Sequence, residues 1–529
     1  MKELIINNIF KTIQQVGYNA WFVGGCVRDK LMGIESNDFD ICTNCPLEVI
    51  KTIFSNIVNI FENPYYKIFI VGLVIKNNDR VEHIDISTMC PLDVKNLINF
   101  NLTDKDKSFK TYNELLILKD ALRRDFTINA LYEDINGNII DPTRYGIPDA
   151  KNNILRFIEE DYKIKLFNDP FIMMRFIRFL STKDLISFES LESIRQISET
   201  LDYNKISKEH KISELIKIIS GKNWMNTYFY EYFEASGLFK YFGFDKIFEQ
   251  LEACNQTYEF HLEGSQWMNK ETGEIVIGEY IDDFTNFIPV RQGNVLYHTL
   301  LTIKNMCKLL ENETDQHKRF ILNLTALLHD IGKPKCKEIH GEKIKKYKIY
   351  DLEIEEINPI VYDHDFIGKD IAYEFCKSIG LGINDCKLIR NLVDNHMKIL
   401  QLDKVKSSSQ IFQFVKLPYF DYLLILAQAD DKSSIQLNKC KSSIDDIMNR
   451  KIIIFIDGEK KEVLIKDLIN MDLPKPILNG KDLISKGITN GELIGKMLNK
   501  AIDFQINEGI TDKEILLNRI KGVKLSVKK

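Results

Sequence analysis

The 529-residue chain has no uncharged apolar run of about 18 residues or more, the length that a membrane-spanning helix needs, so no such helix is expected. It also lacks a signal-peptide pattern at its start. MKELIINNIFKTIQQVG reads instead as an amphipathic helix with Leu4, Ile5, Ile9, Ile13 and Val16 on one side. A cytoplasmic protein that meets no membrane is the expectation, and its ten cysteines are then thiols. Cys42-x-x-Cys45 has no second CxxC, so it reads as incidental rather than as half of a metal or redox site. There is no basic excess either: the net charge of −5 argues against indiscriminate nucleic-acid binding and leaves room only for a local basic groove. Histidine is scarce, nine in all, which makes the place of each one informative.

Among what is present, Trp21 to Asp40, WFVGGCVRDKLMGIESNDFD, organises the rest. A short apolar strand, Ala20 to Val23, runs into Gly24-Gly25 and then a helix from Val27 to Met32, with Gly33 placed to end it. A paired glycine before a helix lets backbone N–H groups approach phosphate closely, and Arg28 can neutralise phosphate charge. A second strand, Asp38 to Thr43, sends Asp38 and Asp40 to one side because a strand repeats every two residues. Two adjacent carboxylates repel, and a divalent cation such as Mg²⁺ relieves that repulsion. A phosphate cradle beside metal-holding carboxylates suggests nucleotidyl transfer. A glycine pair or a D-x-D is common when alone; G-G-x-V-R-D (Gly24 to Asp29), a spacer and D-x-D together are far more specific.

Further on, VEHIDIST places Ile84 and Ile86 towards a core and Asp85 on the opposite side, a candidate third carboxylate. Asp120 to Leu131, DALRRDFTINAL, sets the Arg123–Arg124 pair beside Asp125: fork donors for phosphate oxygens and an acceptor for sugar hydroxyls. These motifs together resemble the polymerase-β-like nucleotidyltransferases, in the branch holding class II tRNA nucleotidyltransferases (CCA-adding enzymes) and bacterial poly(A) polymerases. The resemblance implies that Asp38, Asp40 and Asp85 are catalytic, with Mg²⁺ on the first two. It also implies that Gly24, Gly25, Arg28, Asp29, Arg123, Arg124, Asp125 and Asn129 line the nucleotide site.

Phe167 to Phe179, FNDPFIMMRFIRF, resembles that family's E-D-x-x-R motif and departs from it. Asp169, Arg175 and Arg178 match, while Asn168 replaces the Glu and Ile172 the first Arg. In the resembled enzymes an Asp and an Arg of this motif read the base edge and choose between CTP and ATP. If the stretch is helical, Asp169 and Ile172 share a face. Ile172 offers no hydrogen bond, so base discrimination should weaken by about 1–3 kcal/mol, the cost of one unpaired polar partner.

A separate constellation follows in LYHTLL, LLHDIGKP, YDHDFIG, VDNHM and AQADD: His298, His329-Asp330, His364, His396 and Asp430. Four of the nine histidines fall in this series. Imidazole with carboxylate suits a divalent transition metal and hydrolysis. The set resembles the HD phosphohydrolase superfamily. That implies one metal on His298, His329, Asp330 and Asp430, and a second metal or the scissile phosphate at His364 and His396. Spacing does not separate Asp430 from Asp431.

The fold expected is an α/β nucleotidyltransferase head with a mixed β-sheet, followed by an all-α body that includes an HD domain. The divisions are residues 1–140 for the head, 141–290 for a helical neck and body, 291–440 for the HD domain and 441–529 for an RNA-binding tail. Residues 90–116 read as a loop, Asn136-Gly137 as a hairpin turn, and 258–290 as an inserted hairpin or loop of unread role. Trp224 and Trp267 read as core residues, and five basic residues from Arg519 suit an RNA backbone. The activity implied is template-independent CCA addition to tRNA or other RNA 3′ ends from CTP and ATP, with HD-domain phosphate or phosphodiester hydrolysis on RNA ends. The alternatives are A-only or poly(A) addition, and an HD phosphohydrolase whose inactive head binds RNA.

Overall fold

The computed structural model describes the chain except for residues 1, 35–38, 64–67, 78–79, 90–111, 159–161, 255–265, 270–274, 278–286, 292–293, 350–351, 434–442 and 522–529. Asp38, residues 90–111 of the stretch read as a loop and the last basic residues therefore lie outside the described residues, and 112–116 open the Tyr112–Leu122 helix rather than continuing a loop. The chain divides into two compact units, Met1–Glu214 with Tyr228–Leu238, and Leu215–Thr227 with Phe239–Lys529.

The first unit is built on a seven-stranded mixed sheet: β1 (Ala20–Val23), β2 (Asp40–Thr43), β3 (Ile57–Asn63), β4 (Ile68–Asn77), β5 (Arg80–Thr88), β6 (Tyr132–Glu133) and β7 (Ile139–Ile140). Their order is β3-β4-β5-β2-β1-β6-β7. β2 and β5 pair in parallel with Ile41 opposite Ile86, and the other pairs are antiparallel. Ile41, Val71, Leu73, Ile84 and Ile86 bury one face against the Lys2–Gln15 helix, whose Ile5, Ile6, Ile9, Phe10 and Ile13 complete that core. Val16 lies past the last helical residue and is exposed.

Alternation then fixes where the acidic residues go. Asp40 and Asp85 each precede a member of the Ile41–Ile86 pair, so both leave the core side and both are exposed. The glycine turn is made at Gly24 alone, with φ 75°, which L side chains rarely adopt. The helix consequently starts at Gly25, two residues earlier than the pattern suggests, and runs to Leu31. The Asn136-Gly137 turn joins β6 to β7; Gly137 has φ 85°, and the Asp134 carboxylate accepts from the Asn136 and Asn138 N–H groups. The third motif makes two helices, Tyr162–Asn168 and Phe171–Thr182, broken at Asp169-Pro170. Asp169 and Ile172 therefore do not share one helix: Asp169 sits in the joint because Pro170 starts the second helix.

The second unit is mainly helical, with additions that the helical reading did not contain. Gln266–Asn269 is the central strand of three, between Ile275–Ile277 and Phe287–Arg291, in the stretch read as a hairpin or loop. Glu342–Ile349 pairs with Leu352–Pro359, and Lys451–Ile456 with Glu459–Leu464. Trp224 is 2 % exposed, a core residue as expected; the Trp267 side chain lies outside the described part. The C-terminal stretch has its own core of Leu478, Leu483, Met497, Ala501, Leu516, Leu517 and Ile520.

Candidate functional sites

The first unit contains a cavity of about 490 Å³, within the usual size of small-molecule sites. Its wall holds Gly24, Gly25, Arg28, Asp40, Arg123, Arg124, Asp125, Asn129, Asp169, Ile172, Arg175 and Arg178. Asp29 stands next to the wall and accepts from Arg28 Nε at 2.8 Å and from Lys183 Nζ at 3.2 Å. Asp85 is on the strand alongside Asp40 rather than in the cavity wall.

Two polar networks hold the wall. In one, Arg28 donates to Asn129 Oδ1 at 2.7 Å and Asn129 donates to Asp125 Oδ1 at 3.0 Å. Arg175 Nε then donates to Asp125 Oδ2 at 2.6 Å. Burial would raise the Asp125 pKa, yet Arg175 and the Asn129 amide outweigh it, and the carboxyl is held below its ordinary range. In the other, fully buried Asp120 accepts from Arg123, Arg124 and Tyr132. Asp169, by contrast, is pushed up by burial, with only a weak pull down from the Phe171 N–H and Arg175. Arg178 is paired with Glu214 at 2.9 Å. Ile172, 7 % exposed, gives the wall an apolar patch beside Asp169. Sequence reading missed Asp120, Tyr132 and Lys183. For Asp120 a signal existed, since it stands three and four residues before the arginine pair, the spacing of neighbours on a helix.

The second unit brings together the histidine series. Helices Val295–Leu309, His364–Ser378, Ile383–Ile399 and Phe420–Asp431 present His298, His364, His396 and Asp430, and His329-Asp330 follow the end of Gln316–Leu328. His298 Nε2 lies 3.1 Å from His329 Nε2 and 3.0 Å from Asp430 Oδ1. His364 Nε2 lies 3.3 Å from both His396 Nε2 and Asp330 Oδ1. Asp430 is the member of its pair that joins the cluster, while Asp431 accepts from the Ile444 N–H at 3.4 Å.

The donor set fits divalent ions. Two groups, His298–His329–Asp330 and Asp330–His364–His396, each bring their ligand atoms within 4.8 Å of one another. His329, His364 and His396 face backbone carbonyls of Ala326, Val361 and Val393 through Nδ1 at 2.7–2.9 Å, so Nδ1 donates to the backbone and Nε2 is the atom turned to the cluster. Ligand atoms about 3 Å apart are what bonds of about 2.1 Å at right angles require. Burial pushes His396 down to about 4, helped by His364 and His329. Burial opposes charge on His329 as well, but Asp330 and Asp430 outweigh it and raise the imidazole to about 9. Lys333, which sequence reading missed, places Nζ 2.6 Å from Asp330 Oδ2.

Residues 20–156 match the family described as the Poly A polymerase head domain, and residues 295–433 match the HD domain. Relatives carry both expected names. Poly(A) polymerase I of Haemophilus influenzae is 29 % identical over 261 residues, 46 % of this chain and 51 % of that protein. The CCA-adding enzyme of Bacillus pumilus is 30 % identical over 266 residues, 48 % and 58 % of the two chains. The chain spans about half the length of the curated relatives it matches. A solved structure of the Bacillus stearothermophilus CCA-adding enzyme in complex with CTP superimposes with a TM-score of 0.53 at 17 % identity. It covers 97 % of this chain and 96 % of its own, which establishes a common fold. No helix among the described residues is long and apolar enough to cross a membrane.

Proposed function

We propose that the chain adds nucleotides to the 3′ end of tRNA without a nucleic-acid template, taking CTP and ATP to build CCA, and that its HD domain hydrolyses phosphate esters at RNA ends. The observation that carries the first part is the meeting of the Gly24 turn, the Asp40 carboxylate and the Arg123–Arg124 pair around one nucleotide-sized cavity. In this reading Gly24 and Gly25 let the backbone approach the triphosphate, while Arg28, Arg123 and Arg124 neutralise it. Asp125 and Asn129 position the ribose, and Asp169 meets the base with Arg175 close behind. Mg²⁺ held by Asp38 and Asp40, with Asp85 nearby, would activate the 3′-hydroxyl and offset charge on the α-phosphate and pyrophosphate.

In the HD domain, His298, His329, Asp330 and Asp430 would hold one divalent transition metal, and His364 with His396 a second or the phosphate itself. Bound metal there would supply a water nucleophile. The divisions at residues 140, 290 and 440, an RNA-contacting tail beyond 441 and a cytoplasmic location belong to the same reading.

A second reading, A-only or poly(A) addition, is favoured by one observation: Ile172 puts an apolar side chain beside Asp169, where the resembled motif has an arginine. Transcripts of tRNA ending at the discriminator base, at C and at CC, each given CTP, ATP or both, separate the readings. Addition of C, C and A followed by arrest supports the first. Use of ATP alone supports the second. No addition in any lane, with phosphate release retained, overturns both and leaves a phosphohydrolase with an RNA-binding head.

A further inference from the structure

We propose that Asp120 and Tyr132 are positioning residues that aim Arg123 and Arg124 at the triphosphate end of the cavity; the proposal rests on the nucleotide reading of that cavity.

Asp120 lies in the last turn of the Tyr112–Leu122 helix and is 0 % exposed, outside the cavity wall and behind it. It takes one arginine on each oxygen. Arg123 brings Nε and Nη2 to Oδ1, both at 2.7 Å. Arg124 brings Nε and Nη2 to Oδ2, at 3.2 and 3.0 Å. Tyr132, fully buried on β6, donates its hydroxyl to Oδ2 at 2.7 Å and accepts from Arg124 Nε at 3.2 Å. The Arg124 guanidinium also lies 5.5 Å from the centre of the Tyr132 ring.

Each guanidinium thus spends the same two nitrogens on Asp120. The remaining one, Nη1, is what each can turn to the cavity. For Arg124 the direction is visible: a Cβ added at Gly24 would lie 3.6 Å from its Nη1. Gly24 is the turn at which the backbone can come close to phosphate, so the spare donor and the turn address the same place. Two cations against one carboxylate leave a net positive wall for an anionic ligand. Side chains already locked in place lose little further freedom when the ligand arrives, which is where pre-organisation gains affinity. Asp120 itself need touch nothing that binds.

A structural role for this cluster and a positioning role differ in which ligands they affect. Dissociation constants for ATP and for AMP, with Mg²⁺, would be measured by equilibrium dialysis on the full chain, for wild type, Tyr132→Phe and Asp120→Asn. AMP has no β- and γ-phosphates for the arginines to meet. Expected is a weakening for ATP of about fivefold in Tyr132→Phe, the worth of one hydrogen bond, and at least about tenfold in Asp120→Asn, where charge-assisted bonds go. AMP should change less than about twofold, since no such bond to it is lost. An unchanged ATP-to-AMP ratio in both variants overturns the proposal, whether both affinities fall together or neither moves. Should Asp120→Asn fail to fold, Tyr132→Phe decides alone, because it removes a hydroxyl and no charge. A wild-type protein that binds neither nucleotide would instead overturn the reading of the cavity, and this inference with it.

Discussion

Asp330 serves both halves of the histidine cluster: its Oδ2 lies 3.2 Å from His329 Nε2 and its Oδ1 lies 3.3 Å from His364 Nε2. A carboxylate with one oxygen in each group can bridge two ions, and an amide cannot, because its nitrogen has no lone pair to give. Asp330→Asn should therefore lower the metal content of the manganese-loaded, dialysed protein from two ions per chain to one or none. Elemental analysis gives the number directly. Two ions retained in the variant would show that the two groups bind independently.

The head makes a separate prediction. Asp40 is at the start of β2 and in the cavity wall, where Asp40→Ala removes the carboxylate proposed to hold Mg²⁺ without emptying any core. Nucleotide addition should fall by about a thousandfold or more, about 4 kcal/mol of lost transition-state stabilisation. Metal-dependent phosphate release from the HD domain should continue at the wild-type rate. Parallel loss of both activities would mean that one site performs both.

How far the sequence could be read depended on whether a pattern was local. Ala20–Val23 matched its strand to the residue, since four apolar residues before a glycine pair leave few alternatives. The place of Asp40 in the cavity wall was legible from the joint G-G-x-V-R-D and D-x-D pattern, and the clustering of the histidine series from the scarcity of its residue type. Asp120 was passed over because a buried acid on a helix looks like any polar residue until its partners are seen. The Glu342–Ile349 and Leu352–Pro359 hairpin has no clean period of two in its sequence, because Lys345-Lys346 and Glu355-Glu356 interrupt the alternation of apolar and charged residues. The joint at Asp169-Pro170 was misread as helix, although Pro170 is the kind of residue that opens one. The choice between Asp430 and Asp431 is made by tertiary packing and no spacing contains it.

The proposed function makes Ile172 a point at which one substitution should change base selection. An arginine there would enter the wall beside Asp169 and restore a donor for the base edge. Ile172→Arg should raise the preference for CTP and ATP over UTP and GTP by about 1–3 kcal/mol, from about fivefold to over a hundredfold. Single-nucleotide extension with each of the four triphosphates gives the ratios. Identical ratios in the two proteins would show that the base is selected elsewhere.

Close packing behind the HD cluster depends on Gly332. A Cβ on it would lie 2.0 Å from the His364 carbonyl oxygen and 2.7 Å from the Gly368 nitrogen, both backbone atoms that cannot swing aside. Gly332→Ala must therefore push the His364–Ser378 helix away from its neighbour, moving His364 with it. A cost of about 1–3 kcal/mol or more is expected, as for other overpacked cores. Both the thermal midpoint and the manganese affinity should drop, and a variant that unfolds like wild type would refute the contact.

Glu189 contributes to the pH dependence of the first unit. It is 7 % exposed; its Oε1 accepts from the Phe157 N–H at 3.3 Å, and its Oε2 has no hydrogen-bond partner among the described residues. Burial pushes the carboxyl up to about 7, against the weaker pull of backbone N–H groups and Arg156. A carboxyl raised on folding makes the native state hold a proton that the unfolded chain releases. Stability from this group is thus fully present below about pH 4.5 and is lost as pH rises to about 7. At about 1.4 kcal/mol per factor of ten, the rise from 4.5 to about 7 makes the loss about 3–4 kcal/mol. Glu189→Gln stays neutral throughout, so its urea midpoint should match wild type near pH 4.5 and exceed it above pH 7. If the difference between the two proteins stays constant from pH 4.5 to 8, the carboxyl is not raised and the buried charge is compensated by a group not yet identified.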